Sequence, residues 1–123
     1  LMALALSAPA IAQDNISTVT QTGTSQAATV AQNGANDEST VDQSNDDNTA
    51  FVTQSGIVGA DSLITQSGTG NTATVTQSDD GDNNDGDGDV PPANDSTVAQ
   101  TGDRNEAIVN QTAQSFVDPN RSM

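Results

Sequence analysis

A glutamine recurs along most of the chain at a nearly constant interval, and this recurrence limits the possible folds more than any other feature. Successive intervals are 11, 11, 11, 12, 11, 23 and 11 residues. A copied interval of this kind indicates a structural repeat, because a catalytic loop needs no copies. We call these glutamines the anchors, and they are Gln21, Gln32, Gln43, Gln54, Gln66, Gln77, Gln100 and Gln111.

Three further positions precede every anchor at steps of two residues. Two residues before it stands Val or Ile, four before it stands Ser or Ala in strict alternation, and six before it usually stands Asn. The apolar row is Val19, Val30, Val41, Val52, Ile64, Val75, Val98 and Val109. The asparagines of the last position are Asn15, Asn48, Asn71, Asn94 and Asn105. A step of two predicts a strand whose four related side chains share one inward face.

Turn-forming residues separate these strands. Gly23, Gly34, Gly56, Gly68 and Gly102 each lie two residues after an anchor, and glycine accepts the positive φ of tight turns. Each unit is therefore predicted to be one strand and one turn.

The Ser/Ala alternation makes the true period two units, or about 22 residues. We predict an all-β fold, a β-solenoid with two strands per coil and about four coils. An antiparallel meander is the alternative, which is disfavoured because like side chains stack only when equivalent strands run parallel and in register.

Composition excludes several classes of protein. Apolar residues make up 32% of the chain, aromatic residues 2%, and the net charge is -15. Outside a repeat architecture such values are typical of disorder. The absence of Cys and His, with only two basic residues, argues against an enzyme of the common kinds, against nucleic-acid binding and against adhesion to anionic lipid.

The repeats also divide the chain. Residues 1–12 are apolar and then small, which predicts the remnant of a secretory signal peptide, with a short buried apolar segment as the alternative. The segment is too short to insert across a bilayer, which takes about 20 apolar residues. Residues 13–111 carry the repeats with an acidic loop insertion at 78–95, and residues 112–123 form a C-terminal tail.

The acidic loop is the one place where the sequence suggests a cofactor, a weak calcium site. Asn83, Asp85, Asp87 and Asp89 approximate the start of an EF-hand loop, although the bidentate Glu at its twelfth position is missing. We favour the simpler interpretation, a flexible acidic loop that keeps assembled copies soluble and apart.

The exposed edges of the first and last coils predict self-assembly. Unpaired strand edges are templates for pairing with another chain, and the core is thin. Copies stacked end to end would extend ladders of inward Gln and Asn amides at a spacing of ~4.8 Å. We therefore expect a chain that is largely disordered as a monomer and orders as it polymerises. Because stacking brings acidic groups together, low pH or salt should accelerate it.

The repeat resembles that of the curlin family, the subunits of bacterial curli amyloid fibres. "QSGTGNTATVTQ" (66–77) and "QTGDRNEAIVNQ" (100–111) fit Q-x-G-x-x-N-x-A-x-x-x-Q at every position. The resemblance implies a secreted structural subunit, a homopolymer fibre on the bacterial cell surface, and roles in biofilm matrix and surface adhesion. It also implies a nucleator subunit and an outer-membrane secretion pore as partners. A minor or nucleating subunit, or a Thr-rich ice-binding solenoid, remains an alternative.

Overall fold

The computed structural model describes residues 3–6, 14–56, 59–79 and 94–113. Nine strands and no helix form in these residues, so no described helix is long and apolar enough to cross a membrane. The strands are β1 (Ala3–Leu6), β2 (Ile16–Thr24), β3 (Ala27–Asn33), β4 (Glu38–Asp46), β5 (Thr49–Ser55), β6 (Asp61–Ser67), β7 (Thr72–Asp79), β8 (Asp95–Thr101) and β9 (Glu106–Ala113).

The strands form two parallel sheets, which confirms the predicted β-solenoid and excludes the antiparallel meander for the described residues. One sheet has the order β2-β4-β6-β8 and the other β1-β3-β5-β7-β9. We call them the Ser sheet and the Ala sheet, after the residue four positions before each anchor. Consecutive strands from β2 onward alternate between the sheets, so each pair of strands completes one coil.

Pairing within the sheets joins equivalent positions of successive repeats. In the Ser sheet Val19 pairs with Val41 and Gln21 with Gln43, and the same register continues through Gln66 and Gln100. The long insertion leaves it unchanged. This register follows from the inward pattern, because a slip of one residue would turn every Val and Gln outward.

A narrow core lies between the sheets. Its apolar members are Ala28, Val30, Val41, Ala50, Val52, Ile64, Ala73, Val75 and Val98. The anchors of the middle coils are buried with them. The outward face is mostly Thr, with Phe51 and Leu63 exposed at 45% and 41%. The interior is thus a mixture of small apolar side chains and amides.

The turns stack as closely as the strands. Gly68 has φ +114°, and a Cβ added there would lie 2.0 Å from the carbonyl oxygen of Gly102 in the next coil. Asn45, at the equivalent place one coil earlier, also has a positive φ, of 73°. Glycine is needed at Gly68 both for its φ and for this contact.

The strand boundaries differ from the segments predicted from sequence. β7 continues to Asp79 and β8 begins at Asp95, both inside the predicted loop. β9 continues to Ala113, because Ser78 and Asp79 pair with Thr112 and Ala113. The remainder of that loop, with Asn83, Asp85, Asp87 and Asp89, lies outside the described residues, as does the tail from residue 114.

β1 belongs to the segment that we predict to be a secretory leader. It pairs in parallel with β3, with Ala3 opposite Ala27 and Leu6 opposite Val30. In the full chain, β1 therefore covers the edge of the Ala sheet that β3 would otherwise present. The leader assignment itself stays a prediction.

Candidate functional site: the amide ladders

The anchors of the Ser sheet form a continuous chain of side-chain hydrogen bonds. Each of the first three donates its Nε2–H to the Oε1 of the anchor one coil further along the chain. The distances are 2.8 Å from Gln21 to Gln43, from Gln43 to Gln66 and from Gln66 to Gln100. The ladder spans all four coils and runs in one direction, from N-terminal donor to C-terminal acceptor.

The Ala sheet carries a second ladder with the same direction. Gln32 donates to Gln54 and Gln54 to Gln77, both at 3.0 Å, and Gln77 donates to Gln111 at 2.9 Å. Gln54 and Gln77 are fully buried. Two parallel ladders therefore line the core, one behind each sheet.

The amides of the middle anchors also link the two sheets. Nε2 of Gln66 donates to the carbonyl oxygen of Thr49, at the start of β5, at 3.1 Å. Nε2 of Gln77 donates to that of Asp61, at the start of β6, at 2.9 Å. The middle anchors thus use both amide hydrogens and the amide oxygen. This matters because a buried polar group without a partner costs roughly 1–3 kcal/mol.

The position six residues before the anchors forms two further rows of side chains, one along each edge of the solenoid. We call the row Gln26, Asn48, Asn71 and Asn105 the first column, and the row Asn15, Asp37, Ala60 and Asn94 the second column. The sequence-based ladder set contained five asparagines of these columns and omitted Gln26 and Asp37. Both omitted residues stand at the same repeat position, and both are buried, at 4% and 2% exposed.

The first column ties each turn to the next. Nδ2 of Asn48 donates to the carbonyl oxygens of Ser44, in its own turn, at 2.7 Å and of Gly68, one coil further, at 3.0 Å. Its Oδ1 accepts the backbone N–H of Asn71 at 3.0 Å. Asn71 repeats this arrangement with Ser67, Gly102 and Asn105. Gln26 reaches the equivalent carbonyls with its longer side chain.

The second column is interrupted. Asn15 donates to the carbonyl oxygen of Gly34 at 3.3 Å and accepts the N–H of Asp37 at 2.9 Å. Oδ1 of Asp37 accepts the N–H of Ala60 at 3.1 Å, but its Oδ2 is buried without a partner. Ala60 has no polar side chain, and Asn94 donates to Ser78 at 3.1 Å.

The charged side chains of the described residues are almost all acidic. Glu38, Asp61 and Asp95 stand opposite one another at the exposed starts of β4, β6 and β8. Arg104 is the one basic side chain in the described part of the chain, and its turn packs on Gly70. Burial raises the pKa of Asp37; the N–H of Ala60 opposes that rise, and the charge of Asp61 adds to it.

The two ends of the Ser-sheet ladder are chemically different. Oε1 of Gln21 in the first coil is buried and accepts no hydrogen bond. In the last coil Nε2 of Gln100 donates to Thr72 at 3.0 Å, and an amide nitrogen carries two hydrogens. One end thus offers an acceptor and the other a donor.

Comparison with known proteins agrees with this geometry. Residues 23–56 and 63–87 match the Curlin associated repeat, which is a structural and not an enzymatic unit. No curated protein and no solved structure matches the chain. The two matched segments contain five of the eight anchors and the middle of both ladders. These matches support the assignment of the chain to the curlin repeat family.

Proposed function

We propose that the chain is a secreted structural subunit of a curli-like fibre and that it assembles by stacking its coils end to end. The observation that carries the proposal is the pair of one-directional glutamine ladders. They cross the whole stack, and the Ser-sheet ladder ends in an unsatisfied acceptor at Gln21.

The register of the coils specifies how two copies meet. Within one copy, each Ser-sheet strand pairs with the next Ser-sheet strand along the chain, as β6 does with β8. By the same rule, β8 of one copy would pair with β2 of the next copy. β9 would pair with β3 in the same way. Gln100 would then donate to Gln21 of the following copy, and Gln111 to Gln32. All copies in such a fibre point in one direction.

β1 must leave before this contact can form, since it occupies the edge of β3. Loss of residues 1–12, the predicted leader, would remove the obstacle. A chain of residues 13–123 should accordingly assemble faster than the full chain.

The cellular role follows from the family resemblance. It supports an extracellular fibre on a bacterial surface, with functions in biofilm matrix and adhesion. A nucleator subunit and an outer-membrane secretion pore are the partners that the same resemblance suggests.

Ice binding fits the outer faces less well. Phe51 lies opposite Thr29 and Thr74 in the Ala sheet, and Leu63 lies opposite Thr40 and Thr97 in the Ser sheet. Neither face carries the unbroken Thr array that such a surface needs.

Electron microscopy and circular dichroism of residues 13–123, followed from fresh monomer, test the proposal. We expect fibres, a gain of strand signal during growth, and slower growth of the full chain. Gln21→Ala should lengthen the lag, because it removes the open acceptor, whereas Thr20→Ala on the exposed neighbouring position should not. A stable β fold that stays monomeric at high concentration would contradict the proposal.

A further inference from the structure

Asp37 is the only acidic residue among the eight inward positions that precede the anchors by six. It is 2% exposed, so its carboxyl group is held inside the solenoid. Oδ1 accepts the N–H of Ala60, while Oδ2 has no hydrogen-bond partner. A buried carboxylate oxygen in this state needs an explanation, because burying an unpaired charge is costly.

The equivalent asparagines show what this position requires. Asn48 donates from Nδ2 to the carbonyl oxygen of Gly68, and Asn15 donates to that of Gly34, one coil before Asp37. Each acceptor lies two residues after the anchor of the following repeat. It belongs to the turn that is stacked one coil further along. For Asp37 the corresponding acceptor is the carbonyl oxygen of Gly56.

The carbonyl oxygen of Gly56 and Oδ2 of Asp37 both lie beside Gly34. A Cβ added to Gly34 would lie 2.3 Å from the carbonyl oxygen of Gly56 and 2.9 Å from Oδ2 of Asp37. Where asparagine supplies a donor, Asp37 therefore turns an oxygen toward an acceptor. An ionised carboxylate cannot donate, but a protonated carboxyl group carries one O–H.

We propose that Asp37 is a protonation switch: its protonated carboxyl group donates to the carbonyl oxygen of Gly56, as the equivalent asparagines donate to theirs, and its ionisation removes this hydrogen bond. Asp37 and Gly56 belong to successive coils of one chain, so the switch goes beyond the contact between copies.

The charged groups around Asp37 favour the protonated form. Asp61 at the start of β6, Glu38 on β4 and Asp14 before β2 are all acidic, with Asp95 one coil beyond Asp61. Arg104 lies in a turn of the opposite edge. No described cation therefore stands beside Asp37 to hold its carboxylate.

The direction of the pH dependence follows from the raised pKa of Asp37. The folded chain holds this proton more tightly than the unfolded chain, whose carboxyl pKa is near the ordinary value of 3.8. The protonated carboxyl group of Asp37 therefore stabilises the fold fully when the pH is below the ordinary pKa of 3.8. This stabilisation is lost as the pH rises through the raised pKa of the folded chain. Within this window one proton changes the folded-to-unfolded ratio by at most about tenfold per pH unit.

Three substitutions in the full chain test the switch through unfolding by denaturant, followed by circular dichroism across this pH range. Asp37→Asn supplies a permanent donor, so it should be more stable than the parent at neutral pH, with the advantage shrinking as pH falls. Asp37→Ala lacks the donor and should be less stable than Asp37→Asn at every pH. Asp42→Asn is the matched control, because it removes the same charge from the exposed face of β4 and should keep the parental pH slope.

A direct titration completes the test. With ¹³C-labelled aspartate, the carboxyl resonance that disappears in Asp37→Asn should titrate at higher pH than those of the exposed acids. The switch is refuted if that resonance titrates with the others, if Asp37→Asn is no more stable than Asp37→Ala, or if the pH slopes of Asp37→Asn and Asp42→Asn coincide. Fibre formation, judged separately by microscopy, does not enter these outcomes.

Discussion

The two edges of the solenoid differ in the lengths of their turns, although the strands between them are alike. At the first edge the turns at residues 22–26, 44–48, 67–71 and 101–105 have one length, and in every one a side-chain amide donates to a carbonyl of its own turn. At the second edge the turns at 33–37 and 55–60 differ by one residue, and the third connection extends from 78 to 94.

The edge whose turns have one length is therefore the edge where every coil supplies a side-chain amide donor. Gln26, Asn48 and Asn71 each donate to a carbonyl in their own turn and to one in the next, so an added residue that shifts either carbonyl would break a hydrogen bond. At the second edge, Asp37 and Ala60 supply no such donor. The extra residue occurs in the turn stacked after that of Asp37, and the long insertion in the connection stacked after Ala60.

The strongest test of this difference is to insert the same two residues at each edge, in separate variants. Two glycines after Thr69 should separate Asn48 from Gly68 and Asn71 from Ser67, at a cost of roughly 3–5 kcal/mol in the free energy of unfolding. The same pair between Gly56 and Gly59 should cost no more than about 1 kcal/mol, since lengthening a connection is inexpensive and Ala60 supplies no side-chain donor. Denaturant unfolding would measure both, and equal losses would refute the role of the column.

Removing one amide of the first column should have the next largest effect. Asn71→Ala leaves the carbonyl of Gly102 and the N–H of Asn105 without their partner, a loss of about 2–3 kcal/mol. Asn110→Ala on the exposed face of β9 is the matched control and should change stability by under about 0.5 kcal/mol. If thermal unfolding of the two variants were indistinguishable, the first column would carry no special stability.

Repairing the second column should have the smallest effect. Ala60→Asn places an amide where Asn15 and Asn94 of the same column have one, and a new hydrogen bond contributes about 1 kcal/mol. The gain should appear as a rise of a few degrees in the unfolding midpoint, with Ala60→Ser as the control of a shorter side chain. A loss of stability would mean that the turn at 55–60 cannot accommodate an asparagine side chain at position 60.

Much of this molecule follows from two periods in its sequence. The step of two before each anchor predicts which side chains point inward, and the Ser/Ala alternation predicts two parallel sheets in register. The glutamine and asparagine positions follow from the same pattern. Their role in assembly still awaits experiment.

Other features depend on contacts that the repeat pattern of the sequence does not specify. Gln26 stands at an asparagine position, and only the structure shows that its longer side chain reaches both turn carbonyls. Asp37 has nearly the shape of asparagine, so its missing donor becomes visible only when the carbonyl of Gly56 is located. The pairing of β1 with β3 involves residues outside the repeat and could not be read from it.

The common orientation of the anchor amides has an electrical consequence. Adjacent antiparallel dipoles cancel, but the amide groups in both ladders point the same way, so their dipoles add along the long axis. A filament of such subunits would carry oppositely polarised tips, one lined by carbonyl oxygens and the other by N–H groups. Incoming subunits would meet a different field at each tip, and elongation at the two tips would proceed at unequal rates.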